Sequence, residues 1–373
     1  MIRLTRLVTM LAACSLSGFA ATSYVIVNNN SQSSNSASAY KLNSSNGTLT
    51  FYGNVKTTGQ SLGGGQGILA PGQAITSDAH CLFAIDTASN DIAAFASPSY
   101  KLVGKFSNSA LNFSKFNAGG GIAVSPNGKF LYGAYSGSMN IGAWQVNSNC
   151  SLTLIAAYVP SAGSDLFAYL GVSPNGSFLV VSAQNLHAVE SFKIGSNGSL
   201  TDLGFASFAG LSSCSFEGCF PASLDFTQDS KVVVFGNTSA LATVLTANLG
   251  SNGALTNPQV WDLPNSQELI SSDAVFLNAA AYKGSGFLFV GMVPGVVTAD
   301  FTENPLSIKT VNSIKIPDYG GGLATIGDVL VLTEAPGDLD TFRVNSDGSL
   351  TPLSTVTDTA GDPFWPTIYP DTR

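Results

Sequence analysis

One turn motif returns along the chain at a nearly constant interval, and that interval limits what the chain can fold into. It reads Asn46-Gly47-Thr48-Leu49-Thr50, Asn149-Cys150-Ser151-Leu152-Thr153, Asn197-Gly198-Ser199-Leu200-Thr201, Asn252-Gly253-Ala254-Leu255-Thr256 and Asp347-Gly348-Ser349-Leu350-Thr351. Weaker copies stand at Leu102 and Leu306, so the mean step is about 50 residues. Ahead of each copy lies an apolar run, such as Leu82–Ile85, Phe130–Tyr132, Phe178–Val181 or Val329–Leu332. These runs are nearly continuous rather than alternating, as expected of strands covered on both faces. Ser125-Pro126-Asn127-Gly128 and Ser173-Pro174-Asn175-Gly176 precede two of them as hairpin turns. A second strand follows, carrying an aromatic in five of seven units: Tyr40, Phe95, Trp144, Phe192 and Phe342. Asn-Gly then turns the chain into a last strand.

Each unit therefore predicts a four-stranded antiparallel sheet, and seven of them account for residues 22–373. One such sheet cannot bury both faces alone, whereas a closed ring buries every face between neighbours. The expected fold is all-β, a single seven-bladed β-propeller. The chain opens directly on an apolar run at Ser23–Val27, a second strand lacking its first. Phe364-Trp365-Pro366-Thr367-Ile368-Tyr369 reads as that missing strand, so the C-terminal segment is expected to close the first blade. No stretch shows helical periodicity.

Composition narrows the function classes. Charged residues make up 10% of the chain and the formal net charge is −8. That excludes a charged helical bundle and argues against nucleic acid as a partner. Arg3 and Arg6 precede an apolar stretch, Leu7–Ala21, that ends in small residues, the pattern of a secretory signal over residues 1–21. It is too short for a membrane span. Leu11-Ala12-Ala13-Cys14 also resembles a bacterial lipobox, with Cys14 as a lipid anchor; a chance cysteine in a leader cleaved near Ala21 is the alternative. Secretion or a periplasmic location is expected. Of the arginines, only Arg343 and Arg373 follow the leader. Cys81, Cys150, Cys214 and Cys219 form an even set that suits disulfides in an exported chain. Cys214 and Cys219 bracket a short loop that can close on itself; Cys81 and Cys150 either pair or remain buried thiols. Eight Asn-x-Ser/Thr sequons occur, either glycan acceptors or a by-product of Asn- and Ser-rich turns.

The units Ser-Pro-Asn-Gly-Lys-Phe-Leu-Tyr (Ser125–Tyr132) and Ser-Pro-Asn-Gly-Ser-Phe-Leu-Val (Ser173–Val180), each followed by an aromatic and Ser-Leu-Thr, resemble the seven-bladed lactonase family. That family includes propeller-type 6-phosphogluconolactonases and carboxy-muconate cyclases. The resemblance spans about residues 23–370 and rests on turn and core motifs. It implies the propeller fold and, as an expectation, hydrolysis of a lactone at the mouth of the central channel. None of the family's catalytic motifs is matched here, so no catalytic residue is carried over.

In such a ring, the loops joining second to third strands share one face with the loops joining successive blades. His187 falls on that face and can act as a general base on water attacking a lactone carbonyl; a solvated loop histidine is the plainer reading. Asp165, Glu217 and Asp273 are acidic candidates there. Tyr169, Tyr319 and Trp365 can stack on a sugar ring or simply pack first strands. His80 falls on the opposite face as a turn residue. No metal-binding spacing and no cofactor motif appears. Phosphorylated substrates are held by arginine forks, and one internal arginine, Arg343, is a poor supply. The expected ligand is a neutral or weakly charged lactone, or a glycan if the ring is a non-catalytic binding scaffold; the chain is expected to be a monomer.

Overall fold

The computed structural model describes residues 23–62, 72–113, 120–163, 169–211, 214, 218–237, 243–263, 276–278, 286–292, 295–303, 305–316, 319–334, 337–361 and 363–369. The leader and Cys14 lie outside them. Seven four-stranded antiparallel sheets form the blades. Blade 1 holds β1 (Ser23–Asn28), β2 (Ser36–Leu42) and β3 (Leu49–Lys56). Blade 2 holds β4 (Gln73–Ile75), β5 (Cys81–Asp86), β6 (Asp91–Ala96) and β7 (Lys101–Phe106). Blade 3 follows with β8 (Ile122–Val124), β9 (Phe130–Tyr135), β10 (Asn140–Val146) and β11 (Leu152–Tyr158). Blade 4 has β12 (Leu170–Val172), β13 (Phe178–Ala183), β14 (Ala188–Ile194) and β15 (Leu200–Ser207). Blade 5 has β16 (Pro221–Phe226), β17 (Val232–Asn237), β18 (Thr243–Leu249) and β19 (Leu255–Asp262). Blade 6 has β20 (Phe276–Asn278), β21 (Gly286–Met292), β22 (Gly295–Glu303) and β23 (Leu306–Lys315). Blade 7 has β24 (Tyr319–Ile326), β25 (Val329–Glu334), β26 (Asp338–Val344) and β27 (Leu350–Thr357), and β28 (Phe364–Tyr369) returns to blade 1.

That return is the predicted closure. β28 pairs with β1 through Val25↔Ile368 and Ile26↔Thr367, supplying the inner strand of blade 1. Gln73 of the next blade ties both strands, accepting from Asn28 N at 3.2 Å and donating to Thr367 Oγ1 at 3.0 Å. On the other side, Arg343 donates to Ser45 O at 2.6 Å and pairs with Asp328 at 2.6 Å, stitching blade 7 to blade 1.

Burial follows the strand order. The second strands β5, β9, β13, β17 and β25 are six residues long and buried throughout. Neighbouring sheets cover both their faces, so apolar and small residues fill most positions, with buried polar groups such as Asp86, Asn237 and Glu334 at the strand ends. The outermost strands alternate, as in β7, where every other residue is exposed. The five third-strand aromatics Tyr40, Phe95, Trp144, Phe192 and Phe342 are at most 4% exposed. Every pairing of third with fourth strand carries a bulge at this level, for example between Ala39 and Tyr40 or Ala143 and Trp144. The extra residue turns the outer strand away and adds twist. Gly120, just before β8, leaves room for no side chain: a Cβ would lie 1.7 Å from Ala134 O. Close backbone approach at the crowded axis explains that glycine.

The recurring turn motif joins blade to blade. Its Asn or Asp side chain accepts from the backbone two residues on, as in Asn197 Oδ1 from Ser199 N at 3.1 Å and Asp347 Oδ1 from Ser349 N at 3.0 Å. The following glycine takes positive φ: +71° at Gly47, +80° at Gly198, +86° at Gly253 and +78° at Gly348. That residue inserts into the preceding blade. A Cβ on Gly198 would lie 2.4 Å from Phe130, and one on Gly253 2.4 Å from Phe178, each the first residue of a second strand. The turn carbonyls are held by hydroxyls of the preceding blade: Tyr132 Oη to Gly198 O, Ser191 Oγ to Gly253 O and Thr341 Oγ1 to Gly47 O. Between blades 2 and 3 the same contact is covalent. Cys150 occupies the glycine position at φ +66°, Cys81 occupies the phenylalanine position, and they form a disulfide with Cα atoms 5.4 Å apart.

Gly198→Ala therefore meets both a left-handed backbone and the ring of Phe130. It is expected to lower stability by about 2–3 kcal/mol. Gly204→Ala, at φ +90° with no neighbour within 4 Å, is expected to lose only about 1 kcal/mol. Urea unfolding of the two variants measures the difference.

Candidate functional site

The turn between β13 and β14 places His187 on the face that also carries the loops between blades. His187 sits at φ +53°, and its amide closes the turn on Gln184 O at 3.1 Å. Its carbonyl accepts from Phe208 N at 2.8 Å, which anchors the turn to the end of blade 4. The ring is half-buried and lies against Phe220, with centroids 4.7 Å apart. Nδ1 lies 2.8 Å from Cys219 O. A carbonyl can only accept, so Nδ1 carries the proton in the neutral ring, and Nε2 is left as the basic nitrogen.

The Cys214–Cys219 disulfide holds that carbonyl in place, with Cα atoms 5.1 Å apart and Gly218 N bonded to Cys214 O at 3.0 Å. Gly218, at φ +80°, lets the loop lie on the imidazole: a Cβ there would be 3.0 Å from His187 Cε1. Phe220 N donates to Asn237 Oδ1 at 2.7 Å, which ties the loop to the end of β17. The histidine thus comes from blade 4 and its orienting carbonyl from the lead-in to blade 5.

The other predicted residues are placed as follows. Tyr169 immediately precedes β12, is 2% exposed and belongs to the central apolar cluster; burial raises its phenol. Tyr319 and Trp365 lie in β24 and β28, at the inner strands where the repeat put them; their side chains fall outside the described residues, as do Asp165, Glu217 and Asp273. His80 lies in the turn between β4 and β5 on the opposite face, with Nε2 3.0 Å from Ser148 O. It stands next to Cys81 and Cys150, but both sulfurs are consumed by their disulfide, so the group has no thiolate for a metal. Of the sequon residues, Asn29 and Asn237 are buried with their amide nitrogens donating to hydroxyls. Asn46, Asn149 and Asn197 lie exposed on outer turns.

The same face holds buried acids that the sequence reading passed over. Asp86 and Asp91 are paired across the turn from β5 to β6. Asp86 is fully buried, and its Oδ1 accepts from Asn35 Nδ2 at 2.9 Å and Thr57 Oγ1 at 2.7 Å, both from blade 1. Its Oδ2 and Oδ1 of Asp91 are buried with no donor, while Asp91 Oδ2 pairs with Lys105 at 2.9 Å. Burial first, and then the Asp91 charge, push Asp86 up to about 7 against the lowering bonds from Thr57 and Asn35. A proton on Asp86 supplies the missing donor between the two carboxyls. Glu190 in β14 is likewise buried and raised by burial; it accepts from Ser161 N at 2.7 Å and Ala162 N at 2.9 Å, holding the loop after β11. Asp-x4-Asp bracketing a two-strand turn was the available signal for the first pair.

With the geometry in hand, comparison with known proteins is informative. The family model described as "Lactonase, 7-bladed beta-propeller" matches residues 73–215, which span blades 2 to 4. Over those blades the chain is similar to the lactonase propeller family, and the seven blades of its own ring agree with that likeness. No curated protein sequence matches it. Among solved structures, a proposed 6-phosphogluconolactonase from Bacteroides uniformis superposes with a TM-score of 0.73 at 12% identity, covering 93% of this chain and 99% of that one. The periplasmic gluconolactonase of Pseudomonas aeruginosa gives 0.69 at 15% identity, covering 93% and 99%. A Lactobacillus plantarum protein gives the same score, identity and coverage. At these identities the structural likeness speaks for the fold alone.

The acid pair yields a pH prediction. Asp86 holds its proton in the folded state up to about 7, whereas the unfolded chain loses it near the ordinary 3.8. Its contribution is therefore complete below the unfolded value and is lost as pH rises through about 7. Asp86→Asn keeps a neutral donor toward Asp91, so the wild type is expected to lose on the order of 2–4 kcal/mol relative to the variant between about pH 4 and 7. Urea unfolding of both proteins across that range measures it.

Proposed function

We propose that this chain is an exported lactonase-type hydrolase acting on a neutral or weakly charged lactone, with His187 as its general base. The observation that carries this reading is the Cys219 carbonyl on His187 Nδ1, because it leaves Nε2 as the proton acceptor. Water bonded to Nε2 gives up a proton as its oxygen attacks the lactone carbonyl. The tetrahedral adduct then expels the ring oxygen, which takes the proton back from the imidazolium. One water is consumed and one hydroxy acid forms, releasing a proton at neutral pH. A lactone is an activated ester, so one base suffices for useful acceleration.

The substrate class follows from the cations. Arg343 is committed to Asp328 and the Ser45 carbonyl, at the end of its strand away from His187. No arginine among the described residues faces His187, which disfavours a phosphorylated or polycarboxylated substrate. Export is supported by the two disulfides, which persist in oxidising compartments, and by the likeness to a periplasmic gluconolactonase.

A panel of aldonolactones followed by proton release tests the reading. Wild type is expected to open at least one lactone well above the buffer rate, and His187→Ala to lose about 10²–10⁴-fold in kcat. Full activity in His187→Ala, or no lactone opened faster than in buffer, refutes it. The double variant Cys214→Ala/Cys219→Ala frees the orienting carbonyl; kcat is expected to fall about tenfold or more with little change in KM.

A further inference from the structure

The inter-blade contact described above fails between blades 1 and 2, and the failure leaves a groove. Blade 2 should insert a glycine turn into blade 1, but its turn reads Ser97-Pro98-Ser99-Tyr100, the weak copy of the repeat. The receiving position at the start of β1 is Ser23, where blades 3 and 4 have phenylalanine. Blade 1 also presents Ala37, Ala39 and Gly53 on this side, residues too small to fill the gap. A groove of about 540 Å³ results, within the range of sites that hold small molecules. It lies between blades 1 and 2, separate from His187 in blade 4.

Its walls combine two kinds of group. Tyr52 is 56% exposed and its ring meets Tyr24 edge-on at 5.1 Å, while Lys41 Nζ lies 4.8 Å over the ring. Tyr100 lines the opposite wall, with its hydroxyl donated to Ala79 O at 2.8 Å. Between the rings stand hydroxyl, amide and carboxylate groups from Ser97, Ser99, Asn54 and Asp78. Hydrogen bonds from Thr76 and the His80 amide hold the Asp78 carboxyl below the ordinary range, so it is an acceptor at neutral pH. Apart from Lys41 over the Tyr52 ring, no lysine or arginine among the described residues borders the groove. Flat apolar rings flanked by several neutral donors and acceptors, with the Asp78 anion in the lining and the one nearby cation, Lys41, held over the Tyr52 ring, fit a molecule that has apolar ring faces and many hydroxyls but no negative charge.

From this we infer that the groove between blades 1 and 2 is a binding site for a neutral saccharide, its ring faces on Tyr52 and Tyr24 and its hydroxyls on Asn54, Asp78 and the Ser97–Ser99 turn. The inference is independent of the reading of His187. It is tested by calorimetric titration of the full chain with neutral gluco-, manno- and chito-oligosaccharides, with sulfated and carboxylated oligosaccharides and an unrelated peptide pool as comparators. Two variants keep the fold out of question. Tyr52→Ala removes an exposed ring on an outer strand. Gly53→Leu fills the groove where a Cβ meets no atom within 4 Å and φ is unstrained. Saturable binding of a neutral oligosaccharide, weakened about tenfold or more by each variant, is expected. Unfolding midpoints and lactone opening should stay as in wild type. Absence of neutral-saccharide binding, binding indifferent to both variants, or preference for the anionic sugars or the peptides overturns the proposal.

Discussion

The ring depends on one recurring contact, the insertion of a left-handed turn residue from one blade against the blade before it, seen for blades 1, 3, 4, 5 and 7. Sheets stacked about an axis have no covalent reason to stay in register, and flat apolar faces can slide. A glycine that fits only when a phenylalanine ring covers it, with its carbonyl held by a hydroxyl of the neighbour, removes that freedom. Where Cys150 replaces glycine, a bond to Cys81 does the same work by constraint on the unfolded chain. Ring closure uses a different device because the two chain ends meet there: strand pairing of β28 with β1, with Gln73 and Arg343 as stitches on either side.

The histidine site is built by the same logic of one blade positioning a group of the next. His187 projects from blade 4, and the carbonyl that sets its tautomer arrives with the disulfide loop ahead of blade 5. A second cross-blade polar contact, from Asn35 and Thr57 to Asp86, seals blade 1 against blade 2 with a carboxyl whose proton burial retains up to about pH 7. The chain has few charges, and the buried carboxyls Asp86, Asp91 and Glu190 are respectively raised by burial, paired with Lys105 and wrapped by backbone amides, as low-dielectric surroundings require.

Blade number, strand order and the return of the last strand were legible in the repeat, because a period of about 50 residues with a fixed turn leaves few arrangements that bury every sheet. The third-strand aromatics were legible too, since their spacing from the turn leucine is nearly constant. The short Cys214–Cys219 loop is legible as a disulfide, whereas Cys81 with Cys150 is open in the sequence because nothing in the spacing shows that one blade's turn reaches the strand of the blade before it. Asp86 and Glu190 were passed over for a related reason: a carboxyl in a strand end looks like any loop acid until the neighbouring blade covers it.

By itself, then, the sequence determined the unit and its copy number, through local turn chemistry and the period of apolar runs. Tertiary structure alone decided which nitrogen of His187 is basic, that burial raises Asp86 and Glu190, and where the ring leaves a gap. Each of these depends on atoms distant in sequence, 32 residues for His187 and Cys219 and 51 for Asp86 and Asn35, brought within reach only when one blade settles on another.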